Sequence, residues 1–285
     1  MPHNPLVSIV LPTFNGERFL EQAIRSCLDQ AYRPIEVIVV DDASTDSTAR
    51  IVDRMAKEDS RVQIIRHERN RKLPAALNTG FASVKGEFLT WHSDDNYYLP
   101  NAIAEMVNFL RTQPDVDVIY TDYTVLDEEG NRIRKQKARN FEELAHKNCI
   151  GPCFLYRRRV QERVGEYSEN YFLAEDYDFW LRASVQCKMV PMHQDLYCYR
   201  DHKKSLTQVH SDGRGRKACD AVLANNLPKL WWLDRGAKAE AFLTLARYAR
   251  WREENHLAAR LLLRAGFYSP VRFFRFMLAN RKGTG

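Results

Sequence analysis

The sequence is poor in the features that announce several protein classes. No apolar run reaches the ~18–20 residues a helix needs to cross a bilayer. Met1 to Pro5 lacks the basic start and apolar stretch of a secretory leader. The six cysteines (Cys27, Cys149, Cys153, Cys187, Cys198 and Cys219) include no two pairs at metal-ligand spacing and are too sparse for a disulfide framework. They read as reduced thiols of a cytoplasmic protein. No G-x-G-x-x-G follows the first apolar run, which speaks against a dehydrogenase. The Gly-rich, Arg-containing loop of a nucleotidyltransferase is missing there too. A net charge of +6, without a zinc-finger or aromatic RNA-binding pattern, does not argue for nucleic acid.

What is present is the composition of a globular protein: 285 residues, 45% hydrophobic and 28% charged. That suffices for one α/β domain and a smaller appendage. The slight basic excess suits an anionic ligand or an acidic membrane surface.

The first half alternates short apolar runs with amphipathic stretches. Val7 to Leu11, Ile35 to Val40, Val62 to Ile65, Glu87 to Trp91 and Val116 to Tyr120 read as buried strands. Between them, Phe19, Leu20, Ala23, Ile24, Cys27 and Leu28 mark a helix. So do Ile51, Val52 and Met55, then Leu73 to Val84, and the stretch opened by Pro100. This order predicts a doubly wound, mostly parallel sheet flanked by helices, in which ligands bind beyond the carboxyl ends of the strands. Polar residues gather at those ends: Thr13 and Asn15, Asp41 and Asp42, Asp94 and Asp95.

The second half has hairpin-like runs at Tyr120 to Val125 and Arg132 to Arg134, strands at Cys153 to Tyr156 and Val190 to Tyr199, and a helix at Glu175 to Val185. After about Gly213 the chain is helical. We therefore expect a domain over 1–212, with halves at about 6–122 and 123–212, and a helical appendage over 213–285.

Each acidic site has two readings. Asp94-Asp95 suits a divalent cation, since Mg²⁺ and Mn²⁺ favour carboxylate oxygens; it equally describes a solvated turn before a helix. Asp42 suits a base or ribose, but Asp42 to Asp46 is also rich in helix caps, and Asp46 or Ser44 is expected to cap. Glu175-Asp176 supplies a candidate base for a hydroxyl nucleophile, or acids that favour a helix start. Tyr199 to Ser205 is a basic stretch in which His202 could ligate a metal or simply face solvent.

Taken together, these segments resemble family 2 glycosyltransferases of the GT-A fold, the family that includes the bacillus spore-coat sugar transferase. The matching stretches are Val7 to Asn15, Val39 to Asp46, Ala76 to Gly80, Lys85 to Leu89, Ser93 to Asn96 and Glu175 to Asp178, in the family's order over about residues 6–207. The resemblance implies an inverting transferase using a nucleotide-diphosphate sugar, with uracil as the expected base, and a Mn²⁺ or Mg²⁺ ion. The acceptor would be a saccharide or lipid-linked hydroxyl in surface polysaccharide or glycolipid synthesis. By position, Pro12, Thr13 and Asn15 would line the nucleotide pocket and Asp42 would contact the base. Asp94 would lie near the ribose or sugar, Asp95 (with His202) would hold the metal, and Asp176 would be the general base. Arg71-Lys72 stands where many relatives have glycine, and either side chain would reach the diphosphate or face solvent. A catalytically silent nucleotide-binding or scaffold protein is the rival reading.

The tail from Ser269 to Lys282 mixes Phe with Arg and Lys. It suits an interfacial helix on an anionic inner leaflet, or a helix closing the appendage.

Overall fold

The structure is a computed structural model describing residues 4–210 and 212–281. The N-terminal Met1 to His3 and the last basic residue of the tail, Lys282, lie outside the described residues. The chain forms β1 (Val7–Thr13), α1 (Leu20–Leu28), β2 (Ile35–Asp41), α2 (Thr48–Glu58), β3 (Val62–Arg66), α3 (Lys72–Phe81) and β4 (Phe88–Trp91). There follow β5 (Tyr97–Tyr98), α4 (Ala102–Thr112), β6 (Val118–Leu126), β7 (Arg132–Gln136), β8 (Phe154–Arg157), α5 (Arg158–Val164), α6 (Glu175–Ser184) and β9 (Met189–Arg200). The remainder is α7 (Leu206–Val209), α8 (Arg214–Asn226), α9 (Arg235–Trp251), α10 (Asn255–Tyr268) and α11 (Pro270–Arg281).

Every residue of β1 and β2 is buried, as the continuous apolar, β-branched pattern requires of strands covered on both faces. The order β3-β2-β1-β4 is parallel throughout. Helix α1 buries the stripe Leu20, Ala23, Ile24, Cys27 and Leu28 against it.

Beyond β4 the sheet is mixed rather than mostly parallel. It continues β8-β6-β9-β5, with β8 antiparallel to both β4 and β6, β9 parallel to β6, and β7 a hairpin partner of β6. The strict strand-helix alternation stops after α4: β6 is followed by the β7 hairpin and then β8 without an intervening α-helix, and only β9, reached through α5 and α6, returns parallel to β6. The runs at Val116 to Tyr120 and Tyr120 to Val125 are one continuous strand, β6.

The C-terminal helices share the core. One apolar cluster contains Val10 and Tyr120 of the sheet, Trp180 of α6, Leu223 of α8, Phe242 of α9 and Leu261 of α10. Polar ties reinforce it: Asn226 Nδ2 donates to Asp178 Oδ1 (3.0 Å) and Trp232 Nε1 to Ser184 Oγ (3.2 Å). No helix among the described residues is long and apolar enough to cross a membrane.

Candidate active site

Backbone strain gathers at one end of the sheet. Five non-glycine residues among those described have positive φ. Four of them, Asn15 (55°), Ala43 (64°), Lys72 (70°) and Leu173 (76°), lie in the loops after β1 and β2, at the start of α3 and just before α6. Left-handed backbone of this kind persists only where the surroundings fix it, and it concentrates at functional sites. The loops here hold one another. Asn15 N donates to Ser44 Oγ (3.0 Å), and Asn15 Oδ1 accepts from Thr45 N (2.8 Å). Asp46 Oδ1 accepts from Thr48 N (2.9 Å), the first amide of α2, from one residue ahead of the Ser47 cap position.

Asp42 is the hub of this network. Its carboxylate accepts from Arg71 N and Lys72 N, both at 2.8 Å, and His67 Nδ1 lies 2.6 Å away. The other ring nitrogen of His67 is 2.9 Å from Thr79 Oγ1. Asp42 N donates to Thr13 O (2.9 Å), and Thr13 Oγ1 donates to Asp94 Oδ2 (2.5 Å). Acids at the ends of β2 and β4 are thus joined through one residue of β1.

At the end of β4, burial pushes the Asp94 carboxyl up to about 7, the neighbouring Asp95 charge adds to the rise, and the Thr13 hydroxyl opposes it. The Asp95 carboxylate is held on one side only. His202 Nε2 lies 3.0 Å from Oδ2, whereas Oδ1 is buried without a hydrogen-bond partner. Arg200 fixes the turn from behind. Its Nε donates to Asp95 O (3.1 Å), its backbone N–H to Asn96 Oδ1 (2.7 Å), and its guanidinium lies over the Phe19 ring at 4.3 Å.

Helix α6 brings the second acidic pair. Asp176 accepts from Asn148 Nδ2 (2.8 Å) and from Tyr177 N (2.7 Å), and burial raises its carboxyl above the ordinary range. Glu175 is 4% exposed, and its Oε2 has no hydrogen-bond partner. Burial first, then the Asp176 charge, push it up to about 8. Trp91 at the end of β4 packs edge-on to Phe154 (5.9 Å), which packs edge-on to Trp180 of α6 (4.8 Å). The segment before α6 also meets the Asp42 loop. Lys72 Nζ lies 4.8 Å above the Phe172 ring, and Arg71 is 3.8 Å from Glu169.

With this geometry in hand, comparison with known proteins is decisive: the profile described as glycosyl transferase family 2 matches residues 8–165. The chain belongs to that family. An uncharacterized glycosyltransferase of Rickettsia typhi is 32% identical over 218 residues, 73% of this chain and 67% of that protein. The uncharacterized glycosyltransferase EpsJ of Bacillus subtilis is 31% identical over 222 residues, 72% of this chain and 64% of that protein. A longer relative from Rickettsia felis is spanned over only 33% of its length. Among solved structures, Staphylococcus aureus TarS 1-349 in complex with UDP-GlcNAc superposes with a TM-score of 0.71 at 17% identity, over 95% of this chain and 83% of that one. The Pyrobaculum calidifontis mannosyltransferase PcManGT, in complex with GDP-Man and Mn²⁺, gives 0.63 at 18% identity, over 99% and 81%. The fold of this glycosyltransferase is GT-A: a mixed sheet with flanking helices and C-terminal helices.

The structure brings Thr13, Asp42, Asp94, Asp95 and His202 of the transferase into one hydrogen-bonded neighbourhood. Other expected residues have partners within the fold. Pro12 is buried in β1 opposite Val40. The Asn15 amide oxygen is engaged by Thr45, and the Arg71 and Lys72 side chains turn toward residues 169–172. Sequence reasoning missed Gly16, where a Cβ would meet Asp94 Oδ2 at 2.3 Å. That signal was readable as a glycine just after a strand end. It also missed His67, Asn148 and the anchoring role of Arg200, none of which carries a local pattern.

Proposed function

We propose that this transferase moves a sugar from a nucleotide-diphosphate donor, a uridine diphosphate sugar, onto a hydroxyl of a saccharide or lipid-linked acceptor. The product would belong to surface polysaccharide or glycolipid. The observation that carries the reading is the presence of both a one-sided acid site (Asp95 with His202) after β4 and a buried acid of raised proton affinity (Asp176) in the first turn of α6.

Asp176 receives the acceptor hydroxyl proton as the acceptor oxygen attacks the anomeric carbon. The new C–O bond forms as the bond to the diphosphate breaks, with inversion. A base whose proton affinity is raised by burial suits that role. Asn148 holds the carboxylate in place.

Asp95 and His202 would hold a Mn²⁺ or Mg²⁺ ion. The unpartnered Asp95 Oδ1 fits an ion ligand. Among the described residues no three His, Cys, Asp or Glu converge on a metal, and Mg²⁺ commonly takes only one or two protein carboxylates with phosphate oxygens completing its shell. When bound, such an ion offsets the charge growing on the departing diphosphate. Asp42, its oxygens engaged by the 67–72 loop, would shape the base pocket, and Asp94 would face the ribose or sugar.

A screen of nucleotide sugars with Mn²⁺ or Mg²⁺, following nucleotide release, identifies the donor. Asp176→Asn should keep donor affinity and lose transfer by about 10²–10⁴-fold, the usual worth of a general base. Transfer by this variant at the parental rate would remove Asp176 from the mechanism.

A further inference from the structure

We propose that α10 and α11 form a docking surface for an anionic lipid bilayer. One face of each helix is spent on the core. Leu261, Leu262 and Ala265 of α10 are buried, and Phe273, Phe276 and Met277 of α11 pack on the same cluster. The outer faces carry Leu263, Phe267, Val271, Phe274 and Leu278, which are 62 to 73% exposed. Leu263 and Phe267 are four residues apart; Val271, Phe274 and Leu278 follow at three and four. Each set therefore forms a stripe on its helix, and the stripes succeed one another across the Ser269–Pro270 joint. Isolated exposed apolar residues are ordinary, but a run of them along two consecutive helices marks an interaction surface.

Charge selects the occupant. From Asn255 to Arg281 the ionised residues are Arg260, Arg264, Arg272, Arg275 and Arg281, with no Asp or Glu. Arg260 lies three residues before Leu263, and Arg275 is beside Phe274; both are exposed. Arg235 of α9 adds a guanidinium 5.5 Å from the Phe267 ring. The α9 acids on this side are engaged: Asp234 accepts from Ala237 N (3.0 Å), and Glu240 pairs with Arg272 (3.2 Å). A second copy docking through the same face would set like charges against each other. A bilayer rich in anionic headgroups complements both features, taking the apolar side chains below the headgroups and the arginines among them.

This inference is independent of the transfer mechanism, and its test reads no activity. The full chain is sedimented with vesicles of phosphatidylcholine alone or with about 30% phosphatidylglycerol, a content high enough for polybasic attraction. Binding to the anionic vesicles should exceed that to the neutral ones by about tenfold and weaken with salt. The triple variant F267S/F274S/L278S should keep the parental melting temperature, because these side chains are exposed, and lose about tenfold in binding. R260E/R275E should abolish the anionic preference. Equal sedimentation of parent and triple variant overturns the proposal. So does a failure of the parent to bind, or a parental dimer that the triple variant converts to monomer.

Discussion

The two ends of the parallel strands treat their acids differently. At the amino end, Glu36 of β2 is fully employed. It accepts from Ser8 Oγ (2.6 Å), Gln63 Nε2 (2.9 Å) and Lys85 N (2.6 Å), tying β1, β3 and the approach to β4 together. At the carboxyl end, Asp42 is similarly saturated, but Asp95 and Glu175 each keep a buried oxygen without a partner. Buried polar atoms are nearly always paired, so an exception carries information. Acids held through both oxygens, as Glu36, Asp42 and Asp176 are, are fixed in position, and an acid left short, as Asp95 is, keeps an oxygen for something else to bind. The strained residues Asn15, Ala43, Lys72 and Leu173 collect at the carboxyl end too. That end spends stability on preorganisation.

The comparison breaks most visibly through an exchange of effects. Asp95→Ala should lower cation-dependent nucleotide binding at least about a hundredfold, as loss of one of the two proposed ligands would imply. It should leave the melting temperature unchanged or raised, since an unsatisfied buried oxygen is removed. Calorimetric titration with and without Mn²⁺ reads the binding, and a thermal melt reads the stability. Glu36→Ala should do the reverse. Leaving the Ser8, Gln63 and Lys85 donors unmet costs about 3 kcal/mol by denaturant unfolding, with transfer per folded molecule unaltered. If Glu36→Ala weakened nucleotide binding at full stability, the division between frame and site would fail.

A smaller effect sharpens the same line. Gly16 is required by proximity to the Asp94 carboxylate, not by its own backbone angle. Gly16→Ala would push Asp94 off the Thr13 hydroxyl, and a misplacement of that size should cut transfer by about ten- to a hundredfold with little change in stability. Parental kcat/KM in this variant would show that the Thr13–Asp94 contact is dispensable.

How much of this was legible beforehand follows from the range of the interactions. Buried parallel strands announce themselves locally, so β1 to β4 and their helices were readable, as were the acids at their ends. The two-residue β5 was not, because Tyr97 and Tyr98 become a strand only by pairing with Cys198 and Tyr197. The strands of the mixed half were readable, but their pairing was not, since β8 takes its place between β4 and β6, both far from it along the chain. At the site, the carboxylates were visible but their partners were not. Asp42 looked like a ligand-facing acid, yet its oxygens are taken by amides presented through the positive φ of Lys72. Asn148, which steadies Asp176, lies 28 residues before it with no motif between.

The smallest expected effect tests whether Glu175 is held at a thermodynamic cost. Its carboxyl stands at about 8 in the fold against an ordinary 4.5. The folded state therefore keeps this proton to higher pH than the unfolded chain does. Its stabilising contribution is complete below about 4.5, declines as pH rises and is lost above about 8. Glu175→Gln removes that titration. The parental melting temperature should fall more steeply between these limits than that of the variant, with a difference of a few degrees at the alkaline end, since ~1 kcal/mol is worth about 2–4 °C in a chain of this size. Part of the slope should survive, because Asp176 is shifted in the same direction by the same burial. Identical slopes in parent and variant would mean that Glu175 meets solvent or a partner at that end of the sheet, and it would then belong with the saturated acids of the frame.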